Sequence, residues 1–180
     1  MYYKVVRPLL SRVPAYSEKE EWRQFLKQFD LPHVIDYCSI NGALVEDLLG
    51  IPTAEMWDHL DYIMSNKLFL INNLKFAKEL AARHPGSRIF GVQFAPKPEE
   101  LAASSDLLGF DILDEYAHYS LLEDTRWLKN HYGKQVLNQY ALLDSIEQAL
   151  EIKNILRTQF GEGDWHARAC EVWAIFKVTH

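Results

Sequence analysis

The stretch from Asp111 to Trp127 holds the densest set of side chains able to do chemistry: Asp111, Asp114, Glu115, Glu123 and Asp124, with Tyr116, His118, Tyr119 and Trp127 among them. Three kinds of chemistry could use such a set. Two carboxylates at the right separation could cleave a glycosidic bond, but sequence alone selects no pair. A carboxylate and His cluster from Asp111 to His118 could serve a small cytosolic enzyme of unknown reaction. The third use is a protein-binding face, with carboxylates steering a basic partner and aromatics anchoring it. A solvated acidic loop with ordinary packing aromatics is the competing reading of the same residues.

Other candidates carry less. His166 and Cys170 are four apart, and a Cys-His nucleophile pair would need an activating environment that spacing cannot provide. The alternation from Ala169 to Val178 places the pair on a strand, two pleats apart. Cys38 and Cys170 are read as buried structural thiols, in keeping with a reducing compartment. His59 with Asp61, and His118 with Asp114 and Glu115, offer metal-ligand atom types, but no His-Glu-x-x-His, Cys-x-x-Cys or EF-hand spacing occurs. None of the eight glycines forms a P-loop or dinucleotide fingerprint, so no cofactor is expected.

Charge strengthens the binding reading. From Gln28 to Asn66 there is no Lys or Arg, yet Asp30, Asp36, Glu46, Asp47, Glu55, Asp58 and Asp61 occur. From Pro98 to Thr125 the same absence accompanies Glu99, Glu100, Asp106, Asp111, Asp114, Glu115, Glu123 and Asp124. These gaps hold most of the 25 carboxylates, leaving the remainder of a chain of net charge -6 positive. Folded onto one side, they would form a negative surface that attracts a basic protein. An acidic chain is poorly suited to nucleic acid, where phosphate neutralisation dominates affinity.

The elements that must position these residues follow from periodicity. In 180 residues, 48% of them hydrophobic, the pattern predicts one α+β domain: a mixed sheet with packed helices and a long amphipathic helix in the C-terminal third. Strands are predicted at Tyr2 to Arg7, Lys67 to Ile71, Ile89 to Phe94, Leu107 to Leu113 with a bulge at Gly109, and Ala169 to Val178. The last has two apolar faces and should lie inside the sheet. Helices are predicted at Ser17 to Phe29, behind a Ser17-Glu20 capping box, at Leu74 to Arg83 and at Gln139 to Phe160. Lys67 to Phe94 reads as a strand-helix-strand unit, and Val34 to Leu49 as a hairpin or a strand with a short helix. No apolar span suits a membrane and no signal peptide is seen, so a cytoplasmic location is expected.

A resemblance then gives the binding reading a class. The run Leu108-Gly-Phe-Asp-Ile-Leu-Asp-Glu, the segment Leu137-Asn-Gln-Tyr-Ala-Leu-Leu-Asp and the closing His166-Ala-Arg-Ala-Cys-Glu-Val-Trp-Ala-Ile resemble small bacterial immunity partners of polymorphic toxins, including contact-dependent growth inhibition systems. The likeness touches roughly half of the chain. It implies a cytosolic, non-catalytic inhibitor that binds and blocks one toxin domain, and it assigns no residue a role. On this reading the partner is a basic toxin domain, met by Asp111, Asp114, Glu115, Tyr116, His118, Tyr119, Glu123, Asp124 and Trp127.

Overall fold

The computed structural model describes residues 1–6, 33, 38–40, 60–61, 70–83, 86–101, 106–114, 120–123, 125–133 and 136–178. Among the described residues six strands form one sheet: β1 (Tyr2–Val6), β2 (Leu60–Asp61), β3 (Leu70–Ile71), β4 (Arg88–Phe94), β5 (Leu107–Leu113) and β6 (Glu171–Lys177), in the order β2-β3-β1-β4-β6-β5. The helices are α1 (Leu74–Arg83), α2 (Pro98–Leu101), α3 (Thr125–Tyr132), α4 (Ile146–Gln159) and α5 (Trp165–Arg168), with a 3-10 turn at Leu121–Glu123. This is the expected α+β domain. The sheet departs from the mixed one predicted, because every described pairing is antiparallel. β3 and β4 do run parallel across α1, but β1 is inserted between them and pairs antiparallel with both.

The last strand is central, as its two apolar faces require. β6 pairs with β4 on one side and β5 on the other, and Val172 through Phe176 are all buried. Strand alternation divides the core. Phe110, Ile112, Val172, Ala174 and Phe176 meet Ile146, Ala149, Ile152 and Leu156 of α4. The opposite face carries Phe90, Val92, Trp173 and Ile175 against Cys38, Ile40 and Leu142. On the first face, α1 covers Val5 and Ile89 with Phe76, Ala77, Leu80 and Ala81, and Asn73 Oδ1 caps it by accepting from the Phe76 N–H at 3.1 Å.

Gly109 makes the predicted bulge real. The β5–β6 register shifts between Leu107 and Gly109, where φ is +146°, and a Cβ would stand 2.6 Å from the Leu143 carbonyl oxygen. That close approach lets Phe110 and Leu143 exchange backbone hydrogen bonds of 2.8 and 2.9 Å. The bridge also shortens the long helix, which begins at Ile146 rather than at Gln139. Upstream, Asn138 Oδ1 accepts from the N–H groups of Tyr140 and Leu142, offering the backbone a turn instead of a helix. Ser145 then caps α4 by accepting from the Gln148 N–H at 3.2 Å.

The predicted helix at Ser17 to Phe29 lies outside the described residues, as does most of Val34 to Leu49. The 3-10 turn at Leu121–Glu123 and α3 follow β5.

Candidate functional site

The two aspartates at the heart of the predicted acidic surface are inside the protein. Asp111 and Asp114 each have 0% exposure, so neither can touch a partner in the folded state, and both leave the predicted binding set. Asp111 sits opposite Trp173 in the β5–β6 ladder and points into the layer holding residues 38–40. Its carboxylate accepts from the Ser39 hydroxyl, from the Ser120 hydroxyl at 2.6 Å and from the Ile112 N–H at 2.8 Å. Burial pushes its pKa up, against the opposing pull of the Ser120, Ser39 and Ile112 hydrogen bonds. Beside it, the Trp173 Nε1–H is buried with no hydrogen-bond acceptor among the described residues.

Asp114 follows β5 and meets a residue that local sequence could not pair with it. The His166 Nδ1–H donates to Asp114 Oδ2 at 2.7 Å, across 52 positions of sequence. His166 lies on α5, not on the predicted strand, because Asp164 caps that helix by accepting from the His166 N–H at 2.9 Å. The Trp165 ring rests on the imidazole with centroids 3.7 Å apart. Cys170 is buried, and desolvation raises its thiol pKa, which makes it a poor nucleophile. Among the described residues no three His, Cys, Asp or Glu side chains gather to hold a metal ion.

Glu115, Tyr116, His118, Tyr119 and Asp124 lie outside the described residues, and of Glu123 only the backbone is described, in the 3-10 turn. The two acidic stretches diverge where both are visible. Asp61 is on β2 and Asp111 on β5, the opposite edges of the sheet. At the usual interstrand spacing their backbones stand about 24 Å apart, so these two points of the stretches do not share one surface.

Trp127 is the predicted anchor that the structure places in a usable setting. It lies half-buried on α3, packed edge-on against Phe160 at the end of α4 with centroids 5.7 Å apart, and close to His131 and Tyr132. The Tyr132 hydroxyl donates to Glu151 at 3.2 Å, and burial with this carboxylate raises the phenol pKa. Contacts at both ends, Tyr132 with Glu151 and Trp127 with Phe160, run α3 antiparallel to α4. Glu147, one turn before Glu151, is exposed on the same side of the helix. The Ser145 hydroxyl donates to it at 2.7 Å and holds its carboxyl below the ordinary range. Phe160 keeps 39% of its surface in solvent and Trp165 keeps 45%.

Sequence reading missed this acidic face because Glu147 and Glu151 appear there only as the polar side of an amphipathic helix. No local signal marks it, since Phe160 falls on the apolar side of the helical pattern and the acids meet the aromatics only through the Tyr132–Glu151 contact. Among the described residues, no helix is long and apolar enough to cross a membrane. The geometry defines an α+β protein with buried acids on its edge strand and an open aromatic and acidic face on two helices. Comparison of the chain with protein-family models, with curated proteins and with solved structures finds no match.

Proposed function

We propose that the protein is a cytosolic toxin-neutralising immunity protein that binds and blocks a cognate toxin domain. The observation that carries this reading is the partly open aromatic row of Trp127, Tyr132 and Phe160 beside the exposed carboxylates of Glu147 and Glu151. Trp127 and Tyr132 rest partly on the core and Phe160 is exposed, and aromatic surface left partly open beside charges of one sign suits a partner. The resemblance of the three sequence runs to toxin-immunity proteins points the same way. The test is co-expression with any secreted toxin domain found encoded beside this gene. Survival of the host and a stable co-purified complex support the inhibitor. An active toxin in the presence of folded protein overturns it.

One observation favours a second reading, a small enzyme. A buried carboxylate that holds a His Nδ1–H fixes the imidazole tautomer and orientation, as a general base requires. The histidine is His166 rather than the sequence-predicted His118. Hydrolysis of a panel of ester and phosphate substrates that is lost in both His166→Ala and Asp114→Asn would favour the enzyme. Equal background rates in wild type and variants would remove it.

A further inference from the structure

Resting on the inhibitor reading, we propose that the face of α3 and α4 takes an amphipathic, lysine- or arginine-bearing segment of the partner, its apolar side chains on Trp127 and Phe160 and its cations on Glu147 and Glu151. The apolar and acidic halves of this face lie at opposite ends of α3 and are joined by Tyr132, which touches Trp127 and Glu151. Glu147 and Glu151 are one helical turn apart, about 6 Å along α4, which matches cations spaced one turn apart on a docking helix. Asp144 extends the same charge beyond the helix start and is exposed while its carboxylate accepts from Asn138 Nδ2 at 2.8 Å.

The cations of α4 do not cancel this field. Lys153 Nζ bonds Glu171 at 2.7 Å and Arg157 Nη2 reaches the same carboxylate at 3.5 Å, at the sheet side of the helix. On α3, Lys129 falls about 200° around the helix from Trp127, so it lies away from the aromatic row. His131 lies beside Trp127 at 4.6 Å between centroids. The carboxylate ridge therefore meets the aromatic row at Tyr132, which touches both Glu151 and Trp127, an arrangement that selects an amphipathic basic occupant over a purely apolar or acidic one.

The test uses the full chain and, as probe, a peptide of leucine and lysine at helical spacing, followed by NMR of backbone amides and the tryptophan indoles. Shifts should concentrate on α3, α4 and the Trp127 indole. The charge reversal Glu147→Lys with Glu151→Lys should weaken the peptide by about tenfold or more. The control reversal Glu79→Lys with Glu99→Lys, equal in net charge but on exposed sites of α1 and α2, should change affinity by less than about threefold. The milder pair Glu147→Gln with Glu151→Gln should act in the same direction, which keeps the test valid if the reversal harms folding. Equal losses from both reversals, or shifts mapped to another face, overturn the proposal. Peptide binding here without toxin protection leaves this surface standing and removes the inhibitor reading. Toxin protection that survives both α4 variants does the opposite.

Discussion

The carboxylates on and just after β5 and those of α4 had opposite fates. Asp111 and Asp114 come from the richer acidic stretch and end with no exposure, whereas Glu147 and Glu151 come from a mixed segment and end in water. The difference lies in the partners and the period. β5 is covered on both faces, Phe110 and Ile112 by α4 and Asp111 and Leu113 by the layer of residues 38–40, so a residue there is buried whatever its charge. Asp111 tolerates that place because two hydroxyls and a backbone N–H satisfy its oxygens, and Asp114 because an imidazole does. On α4 the exposed stripe repeats each turn, and the glutamates fall on it. Acidic density along a sequence thus reports burial poorly, and the element carrying the acid decides.

The comparison can be broken at its buried end with the largest effect. Phe176→Ala, in the central strand between α4 and the sheet, should cost about 3 to 5 kcal/mol in urea unfolding. An unchanged midpoint would mean that β6 does not lie in the core. Asp114→Ala should cost about 1 to 3 kcal/mol, because it leaves His166 without its buried acceptor. Loss of the aspartate without loss of stability would place that carboxylate in solvent.

A subtler effect is expected at Asp111, whose folded pKa is raised by burial. The stability it contributes is present below the ordinary carboxyl value of 3.8 and is lost as pH rises through the raised folded value. Asp111→Asn cannot ionise, so its melting temperature should gain on the wild type as pH increases from acid to neutral. Parallel melting curves across that range would contradict a buried, desolvated carboxyl. The smallest effect belongs to the exposed end. Glu147→Gln and Glu151→Gln should each shift unfolding by less than about 0.5 kcal/mol, since single surface charges contribute little.

Much of the frame was legible locally. The capped helix at Leu74 to Arg83, the bulge at Gly109 and the doubly apolar last strand each follow from a few neighbouring residues. What escaped depends on distant partners. Leu142 and Leu143 fit a helical stripe, yet Asn138 diverts the backbone and Leu143 pairs with Phe110, more than thirty positions away. Ser39 lies 72 positions from Asp111 and His166 lies 52 from Asp114, so nothing near either aspartate marked it as buried. Trp127 was identified as an anchor from its place beside the acids. Its working neighbours, Phe160 and Glu151, come from another helix.

Carboxyl footprinting tests the contrast most directly. The native protein is treated with a carbodiimide and glycine ethyl ester, and modification at each acid is followed by mass spectrometry. Glu147 and Glu151 should react at rates close to those of the unfolded chain, while Asp111 and Asp114 remain protected until the protein is denatured. Rapid labelling of Asp111 and Asp114 in the native state, or protection of Glu147 and Glu151, would contradict the assignment of buried acids to β5 and its end and of the accessible face to α4.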